Sequence, residues 1–305
     1  MKHKQKGMTR THTFTLMKPI KTIYSEKEKI PQISQADKPF VSVVTPAYNE
    51  AVIIAKNLER LCKYMETLED EYRCEIIVIN DGSTDETGNL AEAFARDRDN
   101  VCVLHHMYNL RLGQAFRSAF NKCRGDYVVT MDLDLSYSPN HIEKMLVKIR
   151  ETRAKIVIAS PYMEGGKVSN VPFFRKILSR WANRFLSFSA KGYLSTFTGL
   201  VRAYDGIFLS RLNFKSKDMG VHPEIIYKAM LLDAQIEEIP AHLNWGFDQA
   251  GKKRRKSSIK ILSGTISCLL SVFMFSPFMY FMIPVLAKQT KNKKHLPRRL
   301  ERDER

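Results

Sequence analysis

The sequence predicts an α/β fold, a mostly parallel sheet with helices on both faces, followed by a hydrophobic membrane segment. Three observations predict it. Apolar strand-like runs alternate with helix-periodic stretches between residues 41 and 160. The runs, such as Val41-Ser42-Val43-Val44 and Ile76-Ile77-Val78-Ile79, are near-continuous and not alternating, as in strands covered on both faces. Residues 261–287 contain no Asp, Glu, Lys or Arg.

Residues 1–38 are polar and basic and are expected to form a flexible arm, and residues 1–20 lack a continuous apolar run of signal-peptide type. The body, 39–251, opens with a strand near 41–46 that runs into Thr45-Pro46-Ala47-Tyr48-Asn49-Glu50 and a helix near 50–66. A strand near 75–80 runs into Asn80-Asp81-Gly82-Ser83-Thr84-Asp85 and a helix near 85–97. A strand near 101–105, a helix near 113–123 and a strand near 126–131 follow, with Gly113 and Gly125 punctuating the helix. Ser138 as N-cap and Pro139 at the first helical position start a helix near 139–150, and a strand near 155–160 comes next. From Phe173 onward, Phe174, Ile177, Leu178, Trp181 and Phe185 recur at helical spacing, while Lys176, Arg180 and Arg184 lie four residues apart on another face. That pattern fits either an amphipathic helix packed on the body or one whose aromatic face dips among lipid head groups. Glu224, in Val221-His222-Pro223-Glu224, begins a further helix. No internal repeat is present.

Beyond the body lie a basic juxtamembrane loop (252–260), the uncharged stretch (261–287) and a basic tail (288–305). As one helix the uncharged stretch would run about 40 Å, against roughly 30 Å of hydrocarbon. Pro277 and Pro284 interrupt it and both flanks are basic, so a re-entrant or interfacial hairpin and a single tilted transmembrane helix both stay open.

The formal charge of +17 is unevenly placed. Residues 1–40 carry nine Lys/Arg against three Asp/Glu, residues 252–305 carry fourteen against three, and the body between is neutral. Cationic ends flanking a hydrophobic segment suit an anionic membrane surface, and no nucleic-acid-binding motif accompanies them. Five cysteines without a CxxC pair read as reduced buried thiols. No GxGxxG follows a strand, which argues against a dinucleotide cofactor. His222, His242 and the pair His105-His106 have no ligand-like spacing and read as structural.

Chemistry concentrates at Asp132 and Asp134, at the end of the run Tyr127-Val128-Val129-Thr130-Met131. On a strand, residues two apart share a face, and two carboxylates there attract a hard divalent cation; the alternative is a solvated strand end. Pro46 and Tyr48 offer a flat wall for a base, Asp81 an acceptor for a ring N–H, and Arg111 either a phosphate partner or an exposed loop cation.

Four segments, VSVVTPAYNE, IIVINDGSTDET, the Asn109–Gly113 loop and GDYVVTMDLDLSYSP, together resemble the inverting nucleotide-sugar glycosyltransferases of the GT-A fold. MEGGKVSNVPFFRKILSRWANR and FTGLVRAYDG are similar to the polyprenyl-phosphate sugar transferases among them, of the dolichol-phosphate mannosyltransferase type. The resemblance covers roughly residues 40 to 260. It implies that Pro46, Tyr48, Glu50, Asp81 and Arg111 bind the nucleotide. It makes Asp134 the main ligand of Mg²⁺ or Mn²⁺ and puts Asp132 on metal or ribose. Ser136 stands where the family often has a metal-contacting Gln, and Pro161 where it often has an arginine. Arg175, Arg180 and Arg202 are the candidates for an acceptor phosphate. Glu224 is the base a hydroxyl acceptor would need, or simply a first-turn Glu favoured by the helix dipole. Gly251–Lys260 is a more basic version of a loop that closes the donor site in the family.

The expected function is metal-dependent inverting transfer from a UDP- or GDP-hexose to a polyprenyl or dolichyl phosphate. The body would lie at the cytoplasmic face of a membrane, with room for a membrane partner protein. Transfer to a hydroxyl, with Glu224 as base, and a non-catalytic nucleotide-sugar-binding membrane protein are the alternatives.

Overall fold

The computed structural model describes residues 38–189 and 194–245. A seven-stranded sheet has the order β3-β2-β1-β4-β7-β5-β8. Its strands are β1 (Phe40–Ala47), β2 (Arg73–Asn80), β3 (Val101–His105), β4 (Tyr127–Thr130), β5 (Ile156–Ser160), β7 (Arg202–Asp205) and β8 (Ile236–Pro240). Every neighbouring pair is parallel except those made by β7, which lies antiparallel between β4 and β5. β6 (Lys167–Ser169) and β9 (His242–Asn244) form a separate two-stranded parallel sheet.

Helices cover both faces, which is why the strands read as continuous apolar runs. On one face α1 (Ile54–Glu66), α2 (Thr87–Ala95) and α4 (Asn140–Thr152) bury Leu58, Leu61, Ala91, Ile142 and Leu146 against Val43, Val78 and Val129. On the other, α3 (Leu112–Phe120), α6 (Gly206–Arg211) and α7 (Val221–Leu231) bury Phe116, Leu209, Ile225 and Ile226 against Val44, Ile77 and Val128. Truncating one of these leucines to alanine costs about 2–5 kcal/mol. The remaining helix, α5 (Phe173–Ser189), follows β6.

The five expected strands and four expected helices lie where the periodicity puts them, with shifted ends. α1 starts at Ile54 because Glu50–Ile53 form a turn in which the N–H groups of Ile53 and Ile54 both donate to Glu50 O at 3.0 Å. Ser138 does not cap α4 with its side chain; Pro139 occupies the cap, and the Ser138 carbonyl accepts the His141 N–H at 3.1 Å. β7 and β8 carry no local signal that distinguishes them from loop.

Gly113 lies within α3 and does not end a helix. Its N–H donates to Lys217 O at 2.8 Å, and a Cβ there would fall 2.1 Å from Ser216 O, so only glycine lets the 213–219 loop close on the start of α3. The four described cysteines are free, and burial pushes the Cys62 thiol up to about 11. Among the described residues no helix is long and apolar enough to cross a membrane. The expected arm, juxtamembrane loop, membrane segment and tail lie outside the described residues, apart from Lys38.

Candidate active site

Because β3, β2, β1 and β4 are parallel neighbours, the loops at their carboxyl ends form one row: 106–111, 81–86, 48–53 and 131–139. Open α/β sheets bind ligands along such an edge, where strand order reverses.

Loops 48–53 and 81–86 are laced together. Asn49, at φ 54°, accepts the Thr84 N–H on Oδ1 at 2.8 Å, and its own N–H donates to Ser83 Oγ at 3.0 Å. The Glu50 N–H donates to Thr87 Oγ1 at 2.7 Å. This holds Pro46 and Tyr48, the latter 46% exposed, beside Asp81. Loop 106–111 closes the far side. Gly82 has φ 66°, and a Cβ on it would meet Tyr108 C at 2.1 Å. Asp81 Oδ1 accepts from His106 Nδ1 at 2.7 Å and from the Leu110 N–H at 3.0 Å. The expected base-pocket residues are therefore neighbours.

The acidic pair is not on a strand. β4 ends at Thr130, and Asp132 to Leu135 form a turn closed by Leu135 N–H on Asp132 O at 3.1 Å, with Leu135 at φ 47°. Strand alternation therefore does not orient these carboxylates. The turn achieves the same parity: Leu133 and Leu135 are buried in the core, while Asp132 and Asp134 are half-buried. Asp134 Oδ1 accepts the Ser136 N–H at 2.9 Å. Burial, and then Asp132, Tyr162 and Asp134, push the Tyr137 phenol well above its ordinary pKa.

Among the described residues no three His, Cys, Asp or Glu side chains converge as a closed metal cage. Two hard carboxylates on an accessible turn nevertheless fit Mg²⁺ or Mn²⁺, ions commonly held by one or two protein carboxylates and completed by phosphate and water. Beside the turn opens a cleft of about 410 Å³, bordered by Ser136, Arg60, Lys144, His141 and His242.

The remaining expected residues divide. Arg111 is 69% exposed in its side chain, at the start of α3, with Nη1 3.8 Å from Asp218 Oδ2. Arg175 stands over the Trp245 ring at 4.8 Å and Arg180 over the Tyr162 ring at 5.8 Å. Both belong to α5, whose body-facing side is Ala182, Asn183 and Leu186 and whose aromatic stripe, Phe174, Trp181 and Phe185, faces outward.

Glu224 lies in the first turn of α7, as expected, but it and Arg202 are engaged otherwise than an acceptor base and a phosphate-binding arginine would be. Arg202 is fully buried, donating from Nη1 to His222 O at 2.9 Å and from Nη2 to Phe197 O at 2.7 Å. It pins the 197–201 segment to the start of α7 and offers an acceptor phosphate no accessible guanidinium. Glu224 is 5% exposed and accepts from the Lys215 N–H at 2.8 Å, the Ser216 N–H at 2.7 Å and Lys228 Nζ at 2.7 Å. Burial alone would raise its pKa, but Lys228 and the Ser216 and Lys215 amides bring it below the ordinary value. A carboxylate so engaged is a loop anchor and a poor proton acceptor. The sequence gives Asn49 no role and lets His106 read as structural, because their partners lie 35 and 25 residues away; position at a strand's carboxyl end was the only available signal.

The pattern described as glycosyl transferase family 2 matches residues 42–209. The chain is 31% identical over 208 residues to a polyprenol monophosphomannose synthase of Mycolicibacterium smegmatis, covering 65% of this chain and 75% of that one. It is 35% identical over 142 residues to a dolichol-phosphate mannosyltransferase of Pyrococcus furiosus, covering 47% of this chain but only 39% of that longer protein. Among solved structures, glucosyl-3-phosphoglycerate synthase from Mycobacterium tuberculosis with Mn²⁺, UDP and phosphoglyceric acid superposes with a TM-score of 0.59 at 18% identity, covering 79% of each chain. That likeness shows a shared fold.

Proposed function

Because the chain belongs to glycosyl transferase family 2, we propose that this glycosyltransferase moves a hexose, with inversion, from a UDP- or GDP-sugar to a polyprenyl phosphate at the cytoplasmic face of a membrane. The base lies on Pro46 and Tyr48 with its ring N–H on Asp81, and the diphosphate follows the row of loops toward Asp132 and Asp134. A divalent ion at those carboxylates, with Ser136 beside it, would supply Lewis-acid stabilisation of the departing nucleoside diphosphate. Arg111 neutralises phosphate charge from the start of α3. Arg175 and Arg180 receive the acceptor phosphate while the aromatic stripe of α5 enters the lipid head-group layer.

The engagement of Glu224 carries the choice of acceptor. With its carboxylate occupied by two amides and an ammonium, the base anticipated for a hydroxyl acceptor is not available. A phosphate monoester needs none: its second pKa is about 6, so an ionised oxygen attacks the anomeric carbon as the bond to the nucleoside diphosphate breaks. The names of the relatives from Mycolicibacterium smegmatis and Pyrococcus furiosus agree with such an acceptor.

The test is transfer from radiolabelled UDP- and GDP-sugars in detergent, with Mg²⁺ or Mn²⁺, to polyprenyl phosphate and, in parallel, to polyprenol. A lipid-extractable product formed only with the phosphate, and reduced about 10²–10³-fold in Asp134→Ala, is expected. Product on polyprenol would move the reading to a hydroxyl acceptor.

A further inference from the structure

His106 follows β3, and its backbone N–H donates to Asn80 O at 2.9 Å, which hangs the imidazole over the end of β2. Its Nδ1 lies 2.7 Å from Asp81 Oδ1 and its Nε2 lies 2.9 Å from Ser118 Oγ on α3. The side chains of this histidine–carboxylate pair are nearly sealed, at 9% exposure for His106 and 7% for Asp81. An ionised carboxylate only accepts, so Nδ1 carries the proton, and in the neutral ring Nε2 accepts the Ser118 hydroxyl. The Leu110 N–H donates to the same Oδ1. Both donors therefore hold one oxygen, while Oδ2 has no hydrogen bond among the described residues.

We infer that His106 is a positioning residue that sets base selectivity, by locking Asp81 so that one oxygen alone faces the donor's base. This rests on the proposed role of Asp81 in accepting the base N–H. Uracil and guanine present a ring N–H there; cytosine and adenine present a ring lone pair beside an exocyclic amino group. A carboxylate free to turn can reach that amino group, whereas one held by two donors on Oδ1 meets the lone pair and is repelled. The neighbouring His105 bonds Asn80 and Glu92 instead.

The test separates the two ring nitrogens. An Asn amide nitrogen falls close to Nδ1 and a Gln amide close to Nε2, so His106→Asn keeps a donor for Asp81 and His106→Gln keeps only the Ser118 contact. Dissociation constants of UDP, GDP, CDP and ADP, and of pyrophosphate, are measured on the full chain in detergent with Mn²⁺, beside the melting temperature. The expected result is that His106→Asn retains the wild-type preference for UDP or GDP over CDP and ADP within about threefold, while His106→Gln loses at least about tenfold of it. Pyrophosphate affinity and melting temperature should match between the two variants. Equal preference in both variants, or a loss that tracks melting temperature, overturns the role of His106. Wild-type protein that binds all four nucleotides alike overturns the base-pocket reading itself, which separates that failure from this one.

Discussion

Arg111 holds φ 71° and ψ 163°, a backbone region that is essentially glycine's and costs other residues about 1–3 kcal/mol. A strained cation at the head of α3, beside the proposed nucleotide pocket, would trade stability for function. Arg111→Gly should raise the melting temperature by about 2–4 °C while increasing KM for the nucleotide-sugar with little change in kcat; an unchanged KM would leave Arg111 an exposed loop cation. Glu224 shows the opposite bias. Glu224→Gln replaces one accepting oxygen by an amide that faces N–H donors, and should cost about 2–3 kcal/mol in urea unfolding at pH 7. Its folded pKa is lowered, so the carboxylate's contribution is present above the ordinary value of 4.5 and is lost as pH falls through the folded value. The gap between wild type and Glu224→Gln should therefore close on acidification. kcat of that variant should hold at temperatures where it is folded, and a large selective fall in kcat would restore Glu224 as a base. Asp81, Asp132 and Asp134 stood out in the sequence as candidates because the pattern that marks them is local to the ends of β2 and β4. The burial of Arg202 was not, because it depends on Phe197 and on His222, 20 residues downstream.

At the scale of elements, α5 turns the usual arrangement inside out. Its small and polar residues, Ala182 and Asn183, join Leu186 against the body, with Asn183 Oδ1 accepting the Phe197 N–H at 2.7 Å. Phe174 and Trp181 stay 85% and 69% exposed. Periodicity identified the helix and its two faces but could not say which face the body takes, since an aromatic stripe serves a core and a lipid surface equally well. Phe174→Glu with Trp181→Glu should leave the fold intact and weaken binding to anionic vesicles at least about tenfold, given the apolar area two aromatics bury. Vesicle co-sedimentation reads this, and unchanged binding would return α5 to an ordinary surface helix. β7 is the element the sequence concealed most completely: four residues long, it is a strand only because Thr130 on one side and Ile158 on the other pair with Arg202.

For the whole molecule, two histidines tie stability to pH. His222 is fully buried, neither ring nitrogen has a partner among the described residues, and burial together with the Arg202 charge lowers its pKa well below 6.5. His141 is lowered as well, chiefly by burial. The unfolded chain takes up protons below 6.5 that the folded protein refuses, so the stability present above that pH falls on acidification, by up to about 1.4 kcal/mol per pH unit for each group. Unfolding free energies measured from pH 8 to 5 should be flat to about 6.5 and then decline, and His222→Leu should flatten the decline. A decline unchanged in that variant would place the titration elsewhere.

The residues alone made legible the alternation of strands and helices, the candidate chemistry at the ends of β1, β2 and β4, the neutral body between basic ends and the class of reaction. These follow from local patterns, because hydrophobic period and turn residues act over a few positions. It took the packed fold to reveal that Glu224 anchors a loop, that Arg202 is a buried pin, that α5 shows its aromatics outward and that His106 grips Asp81. Each of those depends on a neighbour brought close by strand order, and burial and hydrogen-bond partners are properties of that order, not of the residues themselves.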